Sequence, residues 1–329
     1  MSILNKYNNT YVLLEKNYNI YNPKIHDLLN IYFIKHYCIK YMTKEEAINF
    51  ININNNNNIK IIFYFQNMPN FGNEILNFLN NKKNLESNIF IFTFDYWVRG
   101  PNEFSKFILK IFKTINYKVF TFAENIEYLN YFHNKDYNLY KNNIICNNIW
   151  CSYNSSFIEF NKNPIMKLFL SGAVSNNYPE RKNILKYNNV INYKYNKNDV
   201  NNNNNNYNQE LNKYIACFSS SVYVKSLKSN QLKNTHDILQ KSFEILSSGS
   251  LLVCPLIEES YLNKIGLYHK KNCYLIDFNK NIQNQINNII HNKYKNIFDK
   301  IRLNGQEYAK NKLNSYLKFI EINNIIQNN

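Results

Sequence analysis

The sequence has 329 residues, which is enough for two domains of ordinary size. Hydrophobic residues make up 45% of the chain and aromatic residues 16%, so it can fill substantial cores. No stretch approaches the roughly 20 consecutive apolar residues that a membrane-spanning helix needs, and residues 1–6 do not begin a signal peptide. These features exclude a membrane-spanning protein and predict a cytoplasmic one.

The chain carries 39 basic and 23 acidic residues, a net charge of +16. Such an excess is typical of proteins that bind nucleic acid, phosphates or membrane surfaces. The lysines are scattered, however, and Lys, Asn, Ile, Tyr and Phe dominate as AT-rich coding would produce, so we favour composition bias over a nucleic-acid partner. The six cysteines form no Cys-x-x-Cys pair and the six histidines show no ligand spacing, so neither a metal site nor a disulfide framework is predicted.

The first half of the chain becomes regular only after residue 58. Residues 1–58 carry a helical pattern at 44–47 and end in an asparagine run. Strands are then predicted at 59–65, 88–94, 117–122 and 143–150, with helices from about 70 to 81, 102 to 115 and 124 to 133. Strands that alternate with helices of this length predict a parallel sheet covered on both faces. No Gly-x-Gly-x-x-Gly motif supports a dinucleotide-dependent oxidoreductase.

Asp95 follows the carboxyl end of the second predicted strand, where α/β domains place ligand-binding groups. The segment 95–99 can be a loop with an aromatic anchor. It can also be an acceptor site in which the Asp95 carboxylate removes a proton from a hydroxyl.

The second half repeats the pattern with a candidate phosphate site. The strand 166–170 runs into Ser171 and Gly172, and Pro179 then opens a helix that carries Arg181 and Lys182. A small-residue loop followed by cations at a helix start can cradle a phosphate. The asparagine tract 201–206 is predicted to be a surface insertion without a role in a site.

The most informative stretch is residues 236–255. An apolar stripe predicts a helix up to about residue 247, Gly249 fits a left-handed helix cap, and 251–254 predict a buried strand that Pro255 ends. Lys241 and Glu244 are three residues apart on this helix, a spacing that by itself predicts a surface ion pair.

This stretch resembles the signature helix in the C-terminal domain of group-1-like (CgeB-like) glycosyltransferases of the GT-B fold. The shared pattern runs from Lys241 through Glu244 to two small residues, Gly249 and an apolar strand ending in proline. The resemblance implies that Glu244 holds the ribose hydroxyls of a nucleotide sugar and that the helix start points at its phosphates. It also implies that the donor contacts the following residues: Ser171, Gly172, Arg181, Ser219, Ser220 and Lys241.

Two further residues are assigned to the donor site. His236 stands where many retaining members carry a second glutamate, so the stereochemistry is left open. Glu258 follows the signature strand and either binds donor sugar hydroxyls or caps the next helix, and capping is favoured.

The resemblance implies an α/β protein with two Rossmann-like domains whose parallel sheets face a central cleft. The expected segments are an N-terminal extension, an acceptor domain, a linker, a donor domain and a terminal helix that returns to the first domain. They span residues 1–58, 59–150, 151–165, 166–313 and 314–329.

The implied activity is transfer of a sugar from a nucleotide-diphosphate sugar to the hydroxyl of a glycan, protein or lipid (an EC 2.4 reaction), without metal or cofactor and with Asp95 as the base. Two alternatives stay open. One is an epimerase or hydrolase of sugar nucleotides with the same fold. The other is a non-catalytic relic of the fold that acts as a basic binding protein.

Overall fold

The computed structural model describes residues 7–16, 28–55, 58–65, 70–82, 85–93, 115–121, 144–146, 152, 157–172, 174, 178–194, 204–221 and 240–328. The chain divides into two compact units. The first consists of Met1–Ile149 and Phe319–Asn329, and the second of Trp150–Lys318. No helix in the described ranges is both long and apolar enough to cross a bilayer.

The first unit is built on a sheet whose described strand pairs are all parallel, in the order β2-β1-β3-β4-β5-β6. Its strands are β1 Thr10–Glu15, β2 Cys38–Met42, β3 Lys60–Phe65, β4 Leu85–Thr93, β5 Ile115–Thr121 and β6 Ile144–Cys146. Consecutive residues of β1 and β3, such as Val12 and Leu13, are fully buried. Burial of successive residues means that both faces of the sheet are covered, as parallel sheets require.

Residues 1–58 contribute more to this unit than the sequence indicates. They supply β1, which pairs with both β2 and β3 and therefore lies inside the sheet. The predicted strands near 59–65, 88–94, 117–122 and 143–150 are confirmed as β3 to β6. The helices predicted at 102–115 and 124–133 lie outside the described residues, except that Ile115 is the first residue of β5.

The helices of the first unit are α1 Ile34–His36, α2 Lys44–Ile53 and α3 Asn70–Asn81. The helical pattern at 44–47 is confirmed, because Thr43 and Glu46 form a reciprocal capping box at the start of α2. The terminal helix α10, Ser315–Gln327, ends in this unit. There Phe319 stacks on His36 with ring centroids 4.9 Å apart, and Asn323 accepts a 2.8 Å hydrogen bond from the Tyr37 hydroxyl.

The second unit has a parallel sheet in the order β11-β10-β9-β7-β8. Its strands are β7 Ile165–Ser171, β8 Ile191–Lys194, β9 Tyr214–Phe218, β10 Leu251–Pro255 and β11 Tyr274–Ile276. The strands predicted at 166–170 and 251–254 are confirmed as β7 and β10, and three of the four residues of β8 are exposed. Successive core residues of β7, β9 and β10 pack into different hydrophobic clusters, so helices cover both faces of this sheet.

The helices of the second unit are α4 Pro179–Leu185, α5 Asn204–Asn212, α6 Gln240–Ser247, α7 Glu259–Lys264, α8 Ile282–Ile290 and α9 Lys295–Lys312. Gly249 has φ +78°, which confirms the left-handed cap after α6. Gly305, in contrast, lies inside α9. A Cβ at Gly305 would come within 2.7 Å of the Asn272 carbonyl oxygen, so this glycine permits close packing.

Candidate functional site

The candidate site lies at the carboxyl edge of the second sheet. The chain leaves β7 for β8 on one side and then returns to β9 on the other side of β7. The order of the strands therefore reverses between β7 and β9, and open α/β sheets bind ligands in the crevice at such a reversal. Ser171 ends β7 and Gly172 follows it, and Ser219 to Ser221 follow β9.

Lys241 of α6 lies against the loop after β7. Its Nζ donates a 2.6 Å hydrogen bond to the main-chain oxygen of Ser171. Gly172 has φ +88°, and a Cβ there would come within 2.7 Å of Lys241 Nζ and 3.4 Å of Arg181 Nη1. Both cations thus approach the Gly172 backbone more closely than a residue with a side chain would permit.

Arg181, in the first turn of α4, is buried at 3% exposure. Its Nη2 donates a 3.3 Å hydrogen bond to the Ser220 carbonyl oxygen, and its guanidinium lies 4.0 Å from the centre of the Tyr178 ring. Burial lowers the pKa of Arg181, but an arginine side chain remains charged in proteins. The site therefore holds a permanent positive charge below the surface.

The helix α6 buries its polar residues at this edge. Ser242 Oγ donates a 3.0 Å hydrogen bond to Ser219 Oγ, and Glu244 is 6% exposed. Burial and, to a lesser extent, the charge of Glu244 raise the pKa of the Tyr207 hydroxyl of α5 well above its usual range. Since Glu244 is buried and Lys241 half-buried, the prediction of an exposed surface pair is wrong.

Glu258 is the second buried glutamate of the site, at 4% exposure. Its Oε1 accepts hydrogen bonds from the Ser221 amide at 2.7 Å and from Ser221 Oγ at 2.9 Å. Glu258 precedes α7, but its side chain makes no capping hydrogen bond there. The favoured cap role is therefore wrong for Glu258, whose carboxylate instead holds the loop after β9.

The protonation of Glu258 is also unusual. Burial is the largest influence and raises the pKa of this carboxyl to about 7. The two hydrogen bonds from Ser221 and the charge of Arg181 oppose the shift, whereas Glu180 adds to it. Glu258 can therefore change charge near neutral pH.

The structure brings most of the predicted donor-site residues to this one sheet edge, either at the strand ends or in direct contact with them. They are Ser171, Gly172, Arg181, Ser219, Ser220, Lys241 and Glu258, whereas Glu244 is buried on α6. Asp95 and His236 lie outside the described residues.

One residue of the site was missed in the sequence. The hydroxyl of Tyr207 lies 2.7 Å from Ser171 Oγ. Tyr207 ends the asparagine tract, whose residues 204–206 begin α5. The sequence signal that could have indicated Tyr207 is a single tyrosine after six asparagines.

No family model matches the sequence, and no curated protein sequence matches it. Solved structures do. A glycosyltransferase from Rickettsia africae is similar with a TM-score of 0.57 and 11% identity, over 98% of each chain. HepE from Anabaena, solved with UDP-glucose, is similar with a TM-score of 0.51 and 10% identity, over 97% of this chain and 99% of HepE.

A third similar structure is a TarM variant from S. aureus, solved with UDP, fondaparinux and alpha-GlcNAc-glycerol. Its TM-score is 0.50 at 12% identity, over 86% of this chain. The chain spans only 58% of TarM and 60% of the pneumococcal O-GlcNAc transferase GtfA. Two units with parallel sheets, together with the similarity to these structures, define the GT-B fold of glycosyltransferases.

Proposed function

We propose that this chain is a glycosyltransferase that moves a sugar from a nucleotide-diphosphate sugar to an acceptor hydroxyl. One observation carries the proposal. Two cations, Lys241 and Arg181, meet the backbone of Gly172 at the strand reversal of a GT-B sheet.

In this proposal the donor diphosphate lies over Gly172. Because Gly172 has no Cβ, the phosphate oxygens can approach its backbone. The two cations approach the same backbone for the same reason. Arg181 is held by the Ser220 carbonyl, so its charge is in place before the donor binds. The two cations then stabilise the negative charge that grows on the leaving nucleoside diphosphate, and no metal is needed for this step.

Glu244 would orient the nucleoside by accepting hydrogen bonds from its ribose hydroxyls. A buried carboxylate is a strong acceptor for paired hydroxyl donors. HepE was solved with UDP-glucose and TarM with UDP, which supports a uridine diphosphate sugar as the first donor to test. We further propose Asp95, beyond β4 in the first unit, as the base that removes the acceptor proton.

Donor binding is tested by thermal unfolding with UDP, GDP, ADP and TDP, each with and without Mg²⁺. A ligand at about 100 times its Kd should add about 2.7 kcal/mol to the free energy of unfolding. We expect one nucleotide to give this shift without Mg²⁺ and the Glu244→Gln variant to lose it. Glu307→Gln, which removes an exposed carboxylate from α9, should keep it.

Product analysis separates the enzyme classes. With the matching nucleotide sugar and a set of glycan, peptide and lipid acceptors, a transferase places the sugar on an acceptor. Free sugar or an epimerised nucleotide sugar would instead identify a hydrolase or an epimerase. A chain that binds no nucleotide but binds polyanions, with an affinity that collapses as salt increases, would be a non-catalytic relic.

A further inference from the structure

The buried and partly buried charges that the structure describes at the candidate site do not balance. They include two cations, Arg181 and Lys241, and three carboxylates, whereas Lys182, the next residue of α4, is exposed to solvent. The carboxylates belong to Glu180, which interacts electrostatically with Arg181, to Glu244 and to Glu258. With every group ionised this set carries a net charge of −1, and a bound diphosphate diester would add two further negative charges. An anionic donor therefore binds here more easily if one carboxylate takes up a proton.

Glu258 can accept that proton without disturbing its contacts with Ser221. Both hydrogen bonds from Ser221 end on the same oxygen, Oε1. A proton on the other oxygen, Oε2, leaves both bonds intact. Removing the negative charge therefore does not release the loop.

Glu258 and Arg181 also bind adjacent residues of one short loop. Glu258 accepts hydrogen bonds from Ser221, whereas Arg181 donates to the carbonyl of Ser220. Ser219, Ser220 and Ser221 are all buried, and Ser219 is bonded to Ser242 of α6. The position of the guanidinium thus depends on a loop that Glu258 holds.

We propose that Glu258 is a positioning residue that holds the loop Ser219–Ser221 under Arg181, and that its carboxylate takes up a proton when the anionic donor binds. This proposal rests on the proposed function, since it names the proton linkage of the same donor site. It does not require contact between Glu258 and the donor.

The groups that face Glu258 support this assignment. Burial raises the pKa of Glu258 to about 7, and the nearby Glu180 raises it further whereas Arg181 lowers it. The third neighbour, Cys254 of β10, has a pKa raised by burial and stays a neutral thiol. Negative charge from a bound diphosphate acts on Glu258 as Glu180 does, so the pKa in the complex lies above that of the free protein.

The direction of the pH dependence follows. Below about pH 7 Glu258 is protonated in both states, so donor affinity is constant. Above about pH 7 the free protein has lost the proton, and binding must restore it. Affinity therefore falls as the pH rises, about tenfold for each unit by which the donor raises the pKa.

The experiment is isothermal titration of the full chain with UDP-, GDP-, ADP- and dTDP-glucose, using the tightest binder for the pH series. These donors are suitable because their diphosphate diester does not titrate near neutral pH. Titration in two buffers of different ionisation enthalpy, at about pH 7.5, measures proton uptake directly. We expect a fraction of a proton to be taken up by the unchanged protein and none by Glu258→Gln.

Two variants keep the test specific. Ser221→Ala removes a hydrogen bond that lowers the Glu258 pKa, so the pH at which affinity begins to fall should move upward. Glu259→Gln, a neighbouring carboxylate, should leave the pH profile unchanged. Binding with no proton uptake, or with equal profiles in Glu258→Gln and the unchanged protein, overturns this inference alone. If none of the four donors binds, both this inference and the proposed function are wrong.

Discussion

The hydroxyl groups of Tyr207 and Ser171 lie 2.7 Å apart, which ties α5 to the carboxyl end of β7. Burial raises the pKa of the Tyr207 hydroxyl well above its usual range, so it stays protonated. The charge of Glu244 also raises this pKa, and the same end of β7 accepts a hydrogen bond from Lys241. Tyr207 therefore belongs to the wall of the candidate donor site.

Removing this hydroxyl should affect both stability and binding. Tyr207→Phe loses a buried hydrogen bond, so we expect the free energy of unfolding to fall by about 1 kcal/mol. Nucleotide affinity should also weaken several-fold, since Ser171 loses the group that fixes its side chain. Denaturant unfolding and calorimetric titration measure the two effects. Tyr308→Phe breaks a comparable 3.1 Å bond to the Ile265 carbonyl and should lower stability alone.

Gly172 and Gly249 form a matched pair, with φ of +88° and +78°. Alanine at either position adopts a left-handed backbone at a cost of about 1–2 kcal/mol. A Cβ at Gly172 meets Lys241 Nζ, whereas a Cβ at Gly249 meets the Gln306 amide at 3.0 Å. We therefore expect both variants to melt earlier but Gly172→Ala to lose the larger part of its nucleotide affinity. Equal affinities in the two variants would contradict a phosphate site at Gly172.

The part of the site best predicted from sequence is α6 with its cap and strand. Three independent constraints coincide there: an apolar stripe, a glycine in the left-handed position and a run of residues that become buried. Agreement between local signals is what makes a segment predictable. Of the site residues on this segment, Lys241 contacts the carboxyl end of β7 and Glu244 is buried.

Tyr207 and β1 could not be found in this way. The residues before Tyr207 are asparagines, which have low helix propensity, and α5 is held by tertiary contacts such as the Tyr207–Ser171 pair. β1 has only six residues, and it is identified by pairing with β2 and β3, which are distant in sequence. Long-range pairing of this kind leaves no periodic signal in one segment.

At Gly305 we predict an effect on stability opposite to the one that helix propensity predicts. Alanine in place of glycine inside an exposed helix stabilises it by about 1 kcal/mol. At Gly305, however, the new Cβ would be 2.7 Å from the Asn272 carbonyl oxygen and 3.0 Å from Leu246 Cδ2. Overpacking of this kind costs about 1–3 kcal/mol, so Gly305→Ala should be destabilising. Asn311→Ala, at an exposed position of α9, should be neutral or slightly stabilising in the same urea titration.

We expect Lys241 to contribute to the binding of a charged ligand rather than to the stability of the fold. In Lys241→Met the aliphatic stem is largely preserved, but the ammonium that meets the Ser171 carbonyl is lost. A hydrogen bond to a charged group contributes about 1.5–3 kcal/mol, so affinity for a nucleoside diphosphate should fall about 10- to 100-fold. Affinity for the uncharged nucleoside should change little. Lys264→Met removes an exposed cation from α7 and should alter neither affinity.

Glu258 predicts how stability depends on pH. Its pKa is about 7 in the folded protein and near 4.5 when the chain is unfolded, so the folded state binds the proton more tightly. The stabilisation is complete below about pH 4.5, declines as the pH rises and is lost above about pH 7. This difference in pKa corresponds to about 3 kcal/mol in the free energy of unfolding.

Hydrogen exchange of the β9 and β10 amides between about pH 4.5 and pH 7 should show this decline in the unchanged protein. In Glu258→Gln the same amides should lose much less protection as the pH rises, because glutamine has no proton to release. Equal pH slopes in the two proteins would mean that Glu258 is already ionised throughout the range.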